Sequence, residues 1–331
     1  MSLDLPALLH ELGRGARGAR ALSRADAHAL FAAMLADENA PERIGDLELG
    51  GLLIAYRIKG ETADELAGML EACDARLRHI AAPSRLPTPV VIPSYNGARK
   101  LPNLTPLLAL ALAQRGVPVL VHGDAADAYG RISSASVFAA LGVAACRDVA
   151  DIELALHTRR LAFAPIEVLS PPLARLIALR QRLGVRGPAH TLVKLIQPFA
   201  APALRLVNYT HPQYRDAMAE LFLDARIAGE AGVLLARGSE GEAVADPRRQ
   251  VAIEWLRGGT ATTQVEAVSG TSALPELPDT RDAATTARWI ERALAGAVAL
   301  PAPLARQIEA ICAICIREQE REATTPRKEW S

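Results

Sequence analysis

Residues 90–121 read VVIPSYNGARKLPNLTPLLALALAQRGVPVLV. Two short apolar runs, at 90–92 and 117–121, flank an apolar segment at 103–114 that has the length of a helix. The short runs show no alternation of polar and apolar residues, which is typical of strands that helices cover on both faces. The order strand, helix, strand therefore predicts an α/β domain with a mostly parallel central sheet covered by helices.

Outside this stretch, the spacing of apolar residues differs between the part of the chain before residue 81 and the part after Pro83. Before residue 81 the apolar residues recur at helical spacing, and Ser23 and Thr62 stand where helix N-caps are expected. After Pro83 the alternation of strand and helix continues. The further elements that we predict there are a helix at 134–141 and strands at 167–169, 204–209 and 233–236.

These two patterns of apolar residues predict two domains. A small all-α domain comprises 1–81 and a later helical insertion at 172–187 that returns to it. A large α/β domain comprises 85–171 and 188–320. The last residues, 321–331, form a polar tail.

The composition excludes several classes of protein. Aromatic residues make up only 4% of the 331 residues, which argues against nucleic-acid readers that stack bases on aromatic rings. No apolar run reaches the roughly 18 residues that a membrane-spanning helix needs. The start of the chain lacks the pattern of a signal peptide, and four cysteines are too few for a secreted disulfide scaffold. We therefore expect a cytoplasmic protein.

The balance of charge, 37 basic against 37 acidic residues, conceals a segregation along the chain. The stretches 75–123 and 168–215 contain 13 lysines and arginines and no acid, whereas the other 234 residues carry 24 bases and 37 acids. If the two stretches meet in space, they form a basic groove that attracts phosphates. Alternatively, the fold brings an acid to each arginine. We expect the groove, because the absence of acids recurs twice.

Several motifs follow one another along the chain: the helix start Lys59-Gly60-Glu61-Thr62, the strand end His122-Gly123-Asp124, the pair Ser133-Ser134, the segment Leu183-Gly184-Val185-Arg186 and the acidic segment 237–242. In this order they resemble the anthranilate phosphoribosyltransferase family of glycosyl transferases (family 3), which shares its fold with pyrimidine nucleoside phosphorylases. Phosphate binding by the α/β domain is one implication of this resemblance. The resemblance implies the two-domain fold and a homodimer formed through the helical domain. It also implies that a glycine-rich GTGGD loop binds phosphoribosyl pyrophosphate, with Mg²⁺ held partly by the acidic pair Glu240 and Glu242.

The sequence departs from this family at the loop that binds the diphosphate. The GTGGD position reads Pro93-Ser94-Tyr95-Asn96-Gly97-Ala98-Arg99-Lys100, with one glycine and a bulky tyrosine. A diphosphate cradle needs consecutive small residues so that backbone N–H groups can approach the oxygens. The altered loop and the segment 190–195 resemble the YbiB-type subgroup more closely than the biosynthetic enzymes of the family. This subgroup is associated with sequence-independent binding of nucleic acid.

Two cationic positions are candidates for binding phosphate. Arg99 and Lys100 follow a turn at the end of a predicted strand, where ligands bind in α/β sheets, and the amides of Asn96 and Gly97 lie beside them. Lys194 stands in an apolar run, so its ammonium must reach water, an acid or a ligand. The alternatives are a solvated turn for the pair and a surface position for the lysine.

The remaining candidates allow two interpretations each. His122 and His190 either bind phosphate or make structural hydrogen bonds, and Ser133 and Ser134 either bind phosphate at a helix start or act as caps. Arg186 matches the arginine of the family's motif. Glu240 and Glu242, with Asp246, either hold Mg²⁺ or pair with neighbouring arginines. Cys312 and Cys315 are expected in the core, because no further zinc ligands are visible.

We therefore predict a protein with the phosphoribosyltransferase fold that binds DNA or RNA through phosphates in a basic groove, without sequence specificity. No cofactor is predicted with certainty; Mg²⁺ is expected only if a diphosphate substrate binds. The alternative function is an active phosphoribosyl or pentosyl transferase with an altered donor or acceptor, in which cations replace the glycine amides.

Overall fold

The computed structural model describes residues 4–15, 17–125, 130–270 and 276–324. The chain divides into two compact units: unit 1 is Met1–His79 with Ile166–Pro198, and unit 2 is Ile80–Pro165 with Phe199–Ser331. The predicted returning segment 172–187 lies within the second stretch of unit 1. Residues 166–171 and 188–198, which the sequence predicted to belong to the α/β domain, also group with unit 1.

The helices of unit 1 are α1 (Leu5–Leu12), α2 (Arg24–Met34), α3 (Asp46–Lys59), α4 (Ala63–Asp74), α8 (Ile166–Leu169), α9 (Pro171–Ala178), α10 (Arg180–Leu183) and α11 (Ala189–Leu192). The strands of unit 2 are β1 (Val90–Ser94), β2 (Val119–Gly123), β3 (Leu161–Pro165), β4 (Leu204–Tyr209), β5 (Val233–Arg237), β6 (Ile253–Arg257) and β7 (Thr260–Val265). Its helices are α5 (Thr105–Gln114), α6 (Ser134–Ala140), α7 (Val149–Arg159), α12 (Pro212–Leu223), α13 (Ala225–Ala228), α14 (Ala283–Leu294) and α15 (Ala302–Thr324).

Unit 1 is a helical bundle in which α2 packs closely on α4. A Cβ atom at Gly68 would lie 2.1 Å from the carbonyl oxygen of Arg24, so only glycine permits this approach. Thr62 caps α4 in a reciprocal capping box with Glu65. The carboxylate of Glu65 also accepts from the backbone N–H of Leu22 at 2.9 Å and from Lys59 Nζ at 2.5 Å. One buried carboxylate therefore joins α3, α4 and the segment before α2.

Unit 2 is built on a seven-stranded sheet with the order β3-β2-β1-β4-β5-β6-β7. The first five strands in this order are parallel, and β6 and β7 are antiparallel. The predictions of a mostly parallel sheet and of an α-helical domain are both confirmed. The helix α5 is buried on several sides, as its continuous apolar sequence predicts.

One predicted strand is wrong and one hairpin was not predicted. Residues 167–169 belong to the helical turn α8, and the strand before it is β3. The apolar run of β3 completes a ladder with β2, after which Pro165 ends the pairing. The hairpin of β6 and β7 turns at Gly258 and Gly259, which both have positive φ.

The cysteines lie in the interior. Cys73, Cys146, Cys312 and Cys315 are free, buried thiols, and the last two face the core from α15. Among the residues that the structure describes, no group of three or more His, Cys, Asp or Glu residues has an arrangement that could hold a metal. The core interpretation of the Cys312 and Cys315 pair therefore agrees with their packing.

Candidate functional site

The candidate residues of unit 2 gather at the carboxyl ends of the parallel strands. The loop after β1 contains Asn96–Lys100, His122 lies near the end of β2, and the segment 238–242 follows β5. Loops at this edge of a parallel sheet form the binding crevice in α/β proteins. Gly123 is needed here, because a Cβ atom would lie 2.1 Å from the carbonyl oxygen of Ser94 on β1.

Glu242 is the buried partner of the loop after β1. Its Oε1 accepts hydrogen bonds from the backbone N–H groups of Asn96 and Gly97, each at 2.7 Å. Thr105 donates its hydroxyl to Oε2 at 3.4 Å, and the glutamate is only 2% exposed. A Cβ atom at Gly241 would collide with the Asn96 side chain, whose Nδ2 donates to the Gly241 carbonyl at 2.8 Å.

Glu240 holds the second half of the same loop. Its carboxylate accepts from the N–H groups of Arg99 at 2.8 Å, Lys100 at 2.9 Å and Leu101 at 3.2 Å. Burial alone would raise the pKa of the Glu240 carboxyl, but these three hydrogen bonds and the Arg99 charge outweigh burial and lower it. The side chains of Arg99 and Lys100 remain exposed.

The two carboxylates thus meet five backbone N–H groups of one loop, at residues 96, 97, 99, 100 and 101. The sequence left two interpretations open for each set: Asn96 and Gly97 bind phosphate or lie in a solvated turn, and Glu240 and Glu242 hold Mg²⁺ or pair with neighbouring arginines. The structure instead joins these two sets to each other. The third acid, Asp246, pairs with Arg248 at 2.8 Å, as the alternative interpretation expected.

The serine pair has two different roles in the structure. Ser133 is the N-cap of α6 and accepts from the N–H of Ser136 at 3.1 Å. Ser134 is buried, and its hydroxyl lies 2.7 Å from the Ser94 hydroxyl and accepts from Asn103 Nδ2 at 3.1 Å. Ser134 therefore ties the end of β1 to the start of α6.

His122 is fully buried beside Tyr95. The Tyr95 hydroxyl lies 2.7 Å from His122 Nδ1, and the rings meet edge to face. Burial lowers the pKa of the His122 imidazole to about 3, so the ring is neutral at physiological pH. Among the described residues, the buried Nε2 has no hydrogen-bond partner.

The candidates of unit 1 are Arg186, His190 and Lys194, and the charge of Arg180 also acts on His190. We call these four residues the cationic cluster. The His190 Nδ1 accepts from the N–H of Gly187 at 3.3 Å. Burial lowers the pKa of the His190 imidazole to about 4, and the nearby charges of Arg186, Arg180 and Lys194 contribute to this lowering. All four side chains are half-buried.

The other bases of the acid-free stretches have mixed surroundings. Arg76 pairs with Asp37 at 3.7 Å, and Arg215 pairs with Asp216 at 3.0 Å and with Glu254. Carbonyl oxygens accept hydrogen bonds from the guanidinium groups of Arg78, Arg175 and Arg205. These five arginines contact groups of the protein itself, so fewer bases of the two acid-free stretches are available to a phosphate-binding groove.

Known proteins match this chain in sequence. Residues 6–76 match the family described as glycosyl transferase family, helical bundle domain. The uncharacterized protein YbiB of Escherichia coli K12 is 40% identical over 96% of this chain and 95% of its own length. An anthranilate phosphoribosyltransferase of Methylobacterium radiotolerans is 30% identical over 85% of this chain and 79% of its own.

Solved structures match the fold. The anthranilate phosphoribosyltransferase of Thermus thermophilus has a TM-score of 0.69 at 23% identity, covering 97% of this chain and 90% of that one. The enzyme from Saccharomyces cerevisiae, in complex with PRPP and Mg, has a TM-score of 0.68 at 15% identity, with the same shares covered. At these identities the likeness shows the fold alone.

The chain therefore belongs to the anthranilate phosphoribosyltransferase family, which confirms the resemblance in its motifs. Within this family it falls in the YbiB-type subgroup, since YbiB matches nearly the whole length of both chains. Within the ranges described by the structure, we find no helix with both the length and the apolar character that a membrane crossing demands.

Proposed function

We propose that this protein binds nucleic acid through backbone phosphates, without reading base sequence, and that its diphosphate loop no longer binds phosphoribosyl pyrophosphate. The observation that supports the proposal is the cationic cluster of unit 1, in which Arg186, Arg180 and Lys194 lie near enough to His190 for their charges to contribute, with burial, to the lowering of its pKa. The clustered charges attract a polyanion, and the stretch 168–215 around them contains no acid.

The chemistry of the cluster suits phosphates. Guanidinium groups bind phosphate oxygens through two parallel N–H donors, and an ammonium adds a compact charge. Half-burial weakens the screening of these charges by salt and water relative to fully exposed side chains. A neutral imidazole can donate or accept a hydrogen bond without adding charge. None of these groups distinguishes one base from another, which supports binding without sequence preference.

The loop after β1 disfavours the transferase alternative. A diphosphate would have to displace both Glu240 and Glu242 from five N–H groups before it could use them. The same carboxylates would then have to move to hold Mg²⁺, and a carboxylate beside an incoming diphosphate repels it. The residues present therefore do not fit the diphosphate and its metal as they stand.

Titration of fluorescent oligonucleotides tests the cationic cluster. The wild-type protein should bind single- and double-stranded probes of unrelated sequence, and the double variant Arg186→Gln/Lys194→Gln should bind at least about tenfold more weakly. The matched control is Arg57→Gln, an exposed cation on α3 of the same unit, which should change affinity little. Equal weakening by the control, or unchanged binding by the double variant, would contradict the proposal.

Turnover assays test the alternative separately. Release of pyrophosphate from phosphoribosyl pyrophosphate with Mg²⁺, in the presence of anthranilate or a nucleobase, would support a transferase and overturn the proposed loss of diphosphate binding. No release, together with oligonucleotide binding, is the expected result.

We also propose that the protein forms a homodimer through its helical unit. The helix α3 presents Leu47, Ile54 and Ile58 to solvent, at 85%, 38% and 56% exposure. Their spacing places them along one face of α3. A row of large apolar side chains on an exposed helix is typical of an interaction surface, and a second copy of this chain carries the same row.

A further inference from the structure

A cavity of about 250 Å³ lies in unit 2, beside the ends of β4 and β5. The lining residues used below are Thr210, Arg237, Glu240, Asp246, Arg248 and Arg249. Thr210 directly follows β4, and Arg237 is the last residue of β5. The cavity therefore lies at the carboxyl edge of the sheet, where α/β proteins bind ligands, but in a different unit from the cationic cluster.

The two acids of the cavity are already engaged. Asp246 accepts two hydrogen bonds from the Arg248 guanidinium, at 2.9 Å and 2.8 Å. Glu240 accepts from the backbone N–H groups of Arg99, Lys100 and Leu101. Both carboxylates thus already accept hydrogen bonds from groups of the protein itself, and neither needs a metal ion as a partner.

Among the described residues, two of the three arginines form no ion pair, although the charge of Arg249 acts on Asp246 from a longer distance. Arg237 and Arg249 are exposed at the cavity, and among the described residues neither guanidinium has a carboxylate within ion-pair distance. Arg248 adds a third guanidinium, which its pairing with Asp246 holds in place. Three arginines against two engaged acids leave an excess positive charge, with the Thr210 hydroxyl as a further hydrogen-bond donor.

We propose that this cavity, which we call the arginine pocket, binds a phosphate monoester. A monoester phosphate carries nearly two negative charges and three terminal oxygens, which matches guanidinium groups that approach from several directions. The volume exceeds that of a phosphate group alone, so the pocket also takes part of the attached organic group. The same chemistry occurs in a free phosphorylated metabolite and at the phosphorylated end of a nucleic-acid strand.

Calorimetric titration with simple probes tests the pocket. Inorganic phosphate and a nucleoside 5′-monophosphate should bind the wild-type protein, and the corresponding nucleoside should not. Arg237→Gln and Arg249→Gln should each weaken binding of the monophosphate about tenfold, because each removes a charge-assisted hydrogen bond. The control Arg288→Gln replaces an exposed arginine on α14 and should leave the affinity unchanged.

A variant that should bind the monophosphate more tightly complements these tests, because misfolding cannot produce tighter binding. Asp246→Asn removes a negative charge from the pocket and frees the Arg248 guanidinium, so it should bind the monophosphate more tightly than the wild type. Absence of binding by the wild-type protein, equal weakening by Arg288→Gln, or weaker binding by a folded Asp246→Asn would each overturn the proposal.

Two oligonucleotides of one sequence, with a 5′-phosphate or a 5′-hydroxyl, distinguish the sources. If the natural ligand is a strand end, the 5′-phosphate should raise affinity in the wild type but not in Arg237→Gln. If it is a free metabolite, the monophosphate should bind while the two oligonucleotides bind alike. This proposal stands apart from the cationic cluster, because Arg186→Gln/Lys194→Gln should leave monophosphate binding intact.

Discussion

Glu242 fixes the loop after β1 from a distance of more than a hundred residues along the chain. Asn96 and Gly97 are buried, so their N–H groups cannot turn to water if the carboxylate is lost. Glu240 serves Arg99 and Lys100, which are exposed, and water can replace it there. We therefore expect Glu242 to contribute more than Glu240 to the free energy of unfolding.

Glu242→Ala should therefore lower the free energy of unfolding by roughly 3 kcal/mol, because it leaves two buried donors without an acceptor. The matched variant Glu240→Ala should cost about 1 kcal/mol, since solvent replaces the carboxylate. Urea denaturation followed by circular dichroism measures both. If both variants lost the same free energy of unfolding, burial of the N–H groups of Asn96 and Gly97 would not explain the cost of removing Glu242.

His122 makes stability depend on pH. Its pKa falls from the ordinary value of 6.5 to about 3 on folding, so the folded protein excludes a proton that the unfolded chain binds. The stabilising contribution is fully present above pH 6.5 and decreases as the pH falls from 6.5 towards 3. Urea denaturation above and below pH 6.5 should show a smaller free energy of unfolding at the lower pH. The variant His122→Gln should reduce this difference. An unchanged pH dependence in the variant would contradict this assignment.

Local features of the sequence predicted single-residue roles well. Ser23 and Thr62 are the predicted caps, because a cap depends on residues within one turn. The joining of Glu240 and Glu242 to the loop at 96–101 was not predictable, because it depends on strand order and joins residues about 140 positions apart. Motif comparison placed the acids on Mg²⁺, since the motif does not show which group each carboxylate contacts.

At the scale of elements, the junction of α3 and α4 depends on one buried ion pair. Glu65 is fully buried, and its partner Lys59 is 8% exposed. A buried charge that loses its partner is costly, whereas an exposed pair contributes little. The neighbouring pair of Arg24 and Glu71 is more exposed, and Glu71 lies on the same helix as Glu65, α4.

Glu65→Gln should lower the free energy of unfolding by about 3 to 5 kcal/mol, because Lys59 then lies buried without a carboxylate. Glu71→Gln is the control and should cost less than about 1 kcal/mol. Thermal and urea denaturation of the two variants give the comparison. A similar cost for both would indicate that the Glu65 pair is solvated like a surface pair.

The sequence predicted most elements of the parallel sheet but missed part of it. Apolar runs bounded by Pro or Gly identify β1, β2, β4 and β5. Residues 167–169 were predicted as a strand, but the strand that pairs with β2 at this edge is β3, which ends two residues earlier. The Gly258-Gly259 pair is a sequence signal for the β6–β7 hairpin, because two adjacent glycines between strands favour a tight turn.

At the scale of the whole molecule, the helical unit should mediate self-association. Ile58→Glu places a charge in the exposed apolar row of α3 and should convert a dimer into a monomer, because burying an unpaired charge at an interface is costly. Leu154→Glu, at an exposed apolar position on α7 of unit 2, is the control and should leave the dimer intact. Light scattering coupled to gel filtration measures the mass. A monomeric wild type would contradict the proposed dimer.

The most direct test of the account is the dependence of oligonucleotide affinity on salt. We expect the logarithm of the binding constant to fall linearly with the logarithm of the salt concentration, with the same slope for unrelated sequences and a shallower slope for Arg186→Gln/Lys194→Gln. Affinity that stays constant as salt rises, or that persists for one sequence alone, would contradict recognition of the phosphate backbone.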